Sequence, residues 1–161
     1  MAIFITSTTL SFAPKTDFAT GNTPSSVASA DLNGDGKPDL IVANYNSNTV
    51  SVFLGNGLGG FAAKTDFATG SNPFSVISAD LNGDGKLDLI TANSNSNTLS
   101  VLLNNGLGGF AAKTDFATGS NTISVTSADL NGDGKFDLIA TNFNSNTVSV
   151  LLNNGLAACR T

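Results

Sequence analysis

Asp31-Leu32-Asn33-Gly34-Asp35-Gly36-Lys37-Pro38-Asp39 is the stretch on which the fold turns. Side-chain oxygens stand at its positions one, three, five and nine, and glycine stands at position six. A chain wrapped round an ion points alternate side chains inward and must turn sharply, which glycine permits through a positive φ. The nine residues return as DLNGDGKLD at 80–88 and DLNGDGKFD at 129–137. Calcium is a hard cation that takes about 6–8 oxygen ligands, with carboxylate, amide and backbone carbonyl all serving. The candidate ligands are therefore the side chains of Asp31, Asn33, Asp35 and Asp39, with Lys37 offering its backbone carbonyl. Their equivalents are Asp80, Asn82, Asp84, Lys86 and Asp88, then Asp129, Asn131, Asp133, Lys135 and Asp137, so three Ca²⁺ per chain are expected.

The loop is not an EF-hand, whose twelfth position needs Glu; Val42, Thr91 and Ala140 stand there. Magnesium suits the oxygen chemistry but demands tighter octahedral geometry. The competing reading is an Asx-rich turn that holds no ion. It must account for three carboxylates within nine residues, three times over, with no arginine nearby.

Outward from the loop, everything repeats. All 12 acidic residues are Asp, and they recur at a spacing of 49 residues, as do all the lysines. Phe12–Gly60 matches Phe61–Gly109 at 38 of 49 positions, and the latter matches Phe110–Ala158 at 39 of 49, so the chain is a repeat array. Within a repeat, Ser75–Ala79, Leu89–Ala92, Leu99–Leu103 and the more polar Ala111–Phe116 read as strands, separated by Gly-, Asn- and Asp-rich turns. No helical period runs far enough to support a helix. Four short strands in a unit of about 40–50 residues is the signature of a propeller blade, with a solenoid as the alternative. The fold class is all-β.

Composition closes other doors. With no His there is no Ser-His-Asp or Cys-His catalysis, and the single Cys159 excludes an intrachain disulfide framework or a multi-cysteine metal site. A net charge of −5 and a pI near 4.2 disfavour nucleic acid. Three bound Ca²⁺ would turn that −5 into +1, so the acidity describes an ion holder. No apolar run approaches the roughly 18–20 residues of a membrane helix. The carboxylate pairs are accounted for by the loop spacing without glycosidase chemistry. An enzyme is not expected.

DLNGDGKPDLIVAN followed by NTVSVFLGNGLGGF resembles the FG-GAP/VCBS repeat family, the blade type also seen in integrin α-subunit propellers. The resemblance covers nearly the whole chain in three copies. It implies four-stranded antiparallel blades with the calcium loop joining strands one and two. It also implies an extracellular or cell-surface protein used for adhesion or ligand capture. The start MAIFITSTTLSFA lacks the basic region of a secretory signal and aligns instead as strand.

By the period, 1–20 supplies strands three and four of a partial blade, 21–69 and 70–118 are full blades, 119–156 is a partial blade, and 157–161 is an irregular tail. Propellers close with about 4–8 blades, and an open arc exposes strand edges. The expected solution is a homodimer, a six-bladed ring in which one chain's N-terminal fourth strand completes the other's last blade; a trimer is the alternative. Phe12, Phe61 and Phe110, with Phe18, Phe67 and Phe116, recur as core positions between blades.

The copies differ mainly around Tyr45, Ser94 and Phe143, and at Ser25, Phe74 and Ile123. These sit opposite the calcium loops, among asparagines. Amides that donate and accept, beside aromatic rings that stack on apolar patches, suit a sugar. The candidate ligand residues are Asn44, Tyr45, Asn46, Phe74, Asn93, Asn95, Asn142, Phe143 and Asn144. The bland reading is that the asparagines serve turns and the rings shield blade junctions. Two classes stay open: a calcium-stabilised, lectin-like or adhesion module that binds carbohydrate or an extracellular protein, and a structural, amplified or designed array with no selected ligand.

Overall fold

Each repeat places its β-branched residues in short runs and its Gly, Asn and Asp in the turns between them, and the backbone follows that division. The computed structural model describes residues 9–155. Strands β1 (Pro24–Ala30), β2 (Asp39–Asn44), β3 (Thr49–Phe53) and β4 (Thr65–Ala68) form one antiparallel sheet in that order. Strands β5 (Pro73–Ala79), β6 (Asp88–Asn93), β7 (Thr98–Leu102) and β8 (Thr114–Ala117) form a second. The third sheet holds β9 (Thr122–Ala128), β10 (Asp137–Asn142) and β11 (Thr147–Leu151), three strands among the described residues. These are three consecutive β-propeller blades.

The register decides which turns share an end. Ala30 lies opposite Asp39 and Leu40 opposite Phe53, so loop 31–39 and the turn 54–60 sit at one end of the blade. Asn44 lies opposite both Pro24 and Thr49, which puts turn 45–48 at the other end, beside the crossing into β1. At that end Asn48, Asn97 and Asn146 hold φ of 54°, 56° and 52°, a left-handed turn that Asn tolerates better than most residues.

Apolar side chains fill the space between blades. Ile41, Ala43, Val50 and Val52 of the first sheet meet Val76, Leu89 and Leu102 of the second. Ile90, Ala92, Leu99 and Val101 meet Val125, Leu138 and Ala140 in the same way. Phe67 and Phe110 cross edge to face with centroids 5.1 Å apart, and Phe18 and Phe61 repeat the arrangement at 5.2 Å. Phe116 has no counterpart of Phe110 among the described residues and is exposed.

A polar clamp ties successive blades together. Asn104 Nδ2 donates to the Leu32 carbonyl of the blade before (2.8 Å) and to Leu87 (2.9 Å), while its Oδ1 accepts the Gly106 N–H. Asn153 repeats this on Leu81 and Phe136. Gly55 holds the same position in the first blade and makes no such clamp. Asn104→Ala strips two carbonyls and an N–H of their partner in a buried junction. It should cost about 2–4 kcal/mol in urea unfolding, against less than about 0.5 kcal/mol for the exposed Asn105→Ala.

Two expectations shift, and two others fall outside the described residues. The fourth strand starts at Thr114, not Ala111, because residues 111–113 belong to the crossing from the Asn104–Phe110 bridge. Pro14–Phe18 forms no strand, because a strand needs a paired neighbour and no described segment runs alongside it. The expected third strand at 1–5 and the tail at 157–161 lie outside the described residues. No helix among the described residues is long and apolar enough to cross a membrane.

Candidate functional site

Each nine-residue loop winds around its first carboxylate. Asp31 Oδ1 accepts the N–H groups of Gly34 (2.8 Å) and Asp35 (3.2 Å), and its Oδ2 accepts that of Gly36 (2.8 Å). Gly34 and Gly36 take φ of 75° and 78°, as the tight winding requires. Asp80 and Asp129 repeat the three bonds. Asn33 accepts from Asp35 N–H and Asp35 from Lys37 N–H, giving successive Asx turns.

The ninth residue has a second task. Asp39 is fully buried, and its two oxygens accept the N–H groups of Leu32 (2.9 Å) and Gly55 (2.8 Å). It pins the start of the loop to the turn after β3. Asp88 does the same on Leu81 and Asn104, and Asp137 on Leu130 and Asn153.

The electrostatics are those of crowded carboxylates. Burial pushes the Asp88 carboxyl above its ordinary range; the N–H groups of Asn104 and Leu81 pull it down, and the charges of Asp84 and Asp80 push it up again. Asp35 and Asp84 are held below that range, chiefly by the backbone N–H of Lys37 and Lys86, and Asp133 chiefly by the Lys135 side chain. The lysine ammoniums lie 3.3, 3.5 and 3.0 Å from Asp35, Asp84 and Asp133. These lysines supply the neutralising charge that arginine does not.

The loops fit a hard cation in donor chemistry, since every candidate ligand is oxygen, and in electrostatics, since the carboxylates of the middle loop repel one another. Among the described residues, however, no three acidic groups converge on one point able to hold a metal ion. Asp31, Asn33 and Asp35 lie together in the exposed part of the loop, whereas Asp39 is built into the sheet. Each Asp39 oxygen accepts one N–H and keeps a second lone pair.

At the opposite end the candidate ligand residues separate into two groups. Asn44, Asn93 and Asn142 are buried and do not reach the surface. Asn44 donates to Thr49 and Ser51 and accepts the Gly21 N–H at 3.0 Å, and Asn93 and Asn142 make the matching donations. This corrects their placement on a ligand face: each ties strand two to strand three inside the blade. Asn46, Asn95, Phe143 and Asn144 are exposed. Tyr45 is half-buried and meets Phe74 edge to face at 6.2 Å, as junction packing.

Tyr45, Asn95 and Asn144, one from each blade, converge on a cleft of about 250 Å³ at this end of the blades. Ser94, Asn97, Ser120 and Asn121 complete it. The sequence singles out the Ser94 position but not Asn97, Ser120 and Asn121, although the recurrent GSN and NSN triplets that carry them were a signal. Asn97 Oδ1 accepts the Asn121 N–H at 2.7 Å, so one wall is a hydrogen bond between blades.

Oxygen-rich loops on one end, an amide cleft on the other and 49-residue blades between them define a β-propeller repeat protein. The FG-GAP-like repeat model matches residues 2–42, 31–91 and 80–140, and the chain belongs to that family. No curated protein matches it. Among solved structures it is similar to TcdB2-TccC3 (28% identity, TM-score 0.49, covering 71% of this chain and 6% of that one). It is similar to the Photorhabdus luminescens Tc holotoxin pore (30%, 0.48, 71% and 6%). It is also similar to an Agrocybe aegerita lectin described as recognising non-reducing terminal N-acetylglucosamine (28%, 0.49, 80% and 38%). The chain thus spans 6% to 38% of the length of these structures.

Proposed function

We propose that the chain is a non-catalytic, calcium-binding propeller module that works outside the cell and captures carbohydrate at its blade junctions. The observation that carries this reading is the cleft to which all three blades contribute, whose walls hold amides, hydroxyls and one phenol and no charged side chain. Neutral donors and acceptors at fixed spacing match the alternating hydroxyls of a sugar, and the half-buried Tyr45 ring gives its C–H face a surface.

In this reading Asp31, Asn33, Asp35, Asp39 and the Lys37 carbonyl hold one ion, with the equivalent residues of the other two loops holding two more. The ion supplies charge neutralisation and loop rigidity at the end opposite the cleft, without touching the sugar.

A glycan array probed with labelled protein in calcium tests the function. Binding to a related set of neutral sugars is expected. Asn95→Ala with Asn144→Ala should weaken it at least tenfold, at an unchanged melting temperature, because both side chains are exposed. A blank array from folded protein would overturn carbohydrate capture and favour the structural-array reading that the near-identity of the copies suggests.

A further inference from the structure

The second and third blades leave an apolar cavity of about 380 Å³ between them, lined among others by Phe116, Phe136, Leu138, Leu151 and Leu152. One period earlier an aromatic ring occupies the matching place. There Phe110 packs against Phe67 and joins the cluster of Leu32, Val52, Leu89 and Leu102. One period after Phe110 the sequence has Cys159 instead of phenylalanine.

The edge beside this cavity carries no fourth strand among the described residues. Val148 and Val150 on β11 are 59% and 53% exposed, whereas Leu99 and Val101, their equivalents on β7, are 0% and 8% exposed under β8. Ser51 and Ser100 donate to Asp66 (2.5 Å) and Asp115 (2.6 Å) on their fourth strands, and β11 has Ser149 at this position.

The same molecule carries the missing pieces at its other end. Phe12 is 88% exposed, and by the period it corresponds to Phe61, Phe110 and position 159. Phe18 already sits on Phe61 as Phe67 sits on Phe110, and the Lys15–Asp17 pair repeats Lys64–Asp66 and Lys113–Asp115. Residues 12–19 are therefore held where the last strand of a preceding blade would run, and they form no strand. On that side Val27 is 66% exposed, against 4% for Val76 and Val125.

We propose that a second copy of this chain completes the third blade, its Phe12 filling the cavity beside Phe116 and its Thr16–Ala19 adding the fourth strand along β11. The register follows from Thr98↔Ala117, Leu99↔Phe116, Ser100↔Asp115 and Val101↔Thr114. Thr147 thus meets Ala19 of the second copy, Val148 meets Phe18, Ser149 meets Asp17 and Val150 meets Thr16. Two copies exchanging strands reciprocally make six blades, inside the range of about 4–8 at which propellers close. The exposed face of Val27 then receives the other copy's third blade. Because Gly55 stands where Asn104 and Asn153 clamp neighbouring blades, the junction between copies lacks that clamp and relies on the exchanged segment.

Light scattering of the purified chain should give twice its 16.3 kDa mass. In a Cys159→Ser background, Asp17→Cys with Ser149→Cys should form an interchain disulfide on oxidation, since these positions face each other across the new strand pair. Thr16→Cys with Ser149→Cys, one residue out of register and pointing to the other face, should not. Phe12→Ala should raise the dissociation constant at least tenfold while the β circular dichroism signal persists. A folded protein with the mass of one chain would overturn the proposal. So would cross-linking that ignores register, or assembly that Phe12→Ala leaves unchanged.

Discussion

If the three loops hold calcium as proposed, chelation with EGTA should lower the melting temperature by about 15 °C or more relative to protein in millimolar calcium. The magnitude follows from linkage. A ligand at about a hundred times its dissociation constant stabilises the native state by about 2.7 kcal/mol per site. Three loops of the same sequence pattern therefore give roughly 8 kcal/mol, and in a chain of this size each kcal/mol moves the midpoint by about 2–4 °C. Repulsion among the carboxylates of the middle loop is what a bound ion would relieve. The Asp80 and Asp84 charges bear on a buried Asp88, and a divalent cation removes that repulsion. Magnesium should restore less than calcium, because it demands octahedral geometry and releases water reluctantly. Differential scanning calorimetry in EGTA, calcium and magnesium reads all three, and equal midpoints in EGTA and calcium would remove the ion from the account.

Asp88→Ala should destabilise the EGTA-treated protein by about 2–5 kcal/mol, because it leaves the Leu81 and Asn104 N–H groups without an acceptor in a buried site. Asp80→Ala, which unwinds a more exposed loop, should cost less. The pH dependence of the Asp88 effect has a definite sign. A carboxyl raised in the folded state binds its proton more tightly folded than unfolded. Its contribution is therefore fully present below the unfolded value and is lost as pH rises through the folded one. The gap in stability between wild type and Asp88→Ala should narrow from pH 4 to pH 7. Urea titrations at the two pH values in EGTA measure it; a gap that widens would mean that the N–H groups outweigh burial and repulsion at Asp88.

The 49-residue period, the blade and the loop were legible in the sequence because they are local or periodic properties. Hydrophobic alternation marks Thr98–Leu102 as a strand wherever it lies, and the oxygen spacing of DLNGDGKPD is a property of nine consecutive residues. The candidate ligand face was less legible. Asn44, the last residue of β2, and Asn46, in the turn after it, are two residues apart, yet one is fully buried on Thr49 and Ser51 and the other is exposed. Nothing in the residue type separates them; the side on which each emerges does. Asp39 was read only as a ligand, although it also anchors the Leu32 and Gly55 N–H groups, because its second partner lies 16 residues away.

The sequence alone determined an all-β array of near-identical blades, the position of every oxygen-bearing loop and the absence of histidine chemistry, since periodicity and composition do not depend on how blades meet. Only the tertiary structure decided what happens between blades: the Asn104 and Asn153 clamps, the junction cleft, and the vacancy beside Phe116 that Phe110 fills one repeat earlier. The clamps alone join residues 72 positions apart, and burial and register, which set all of these features, are properties of packed sheets and not of any one strand.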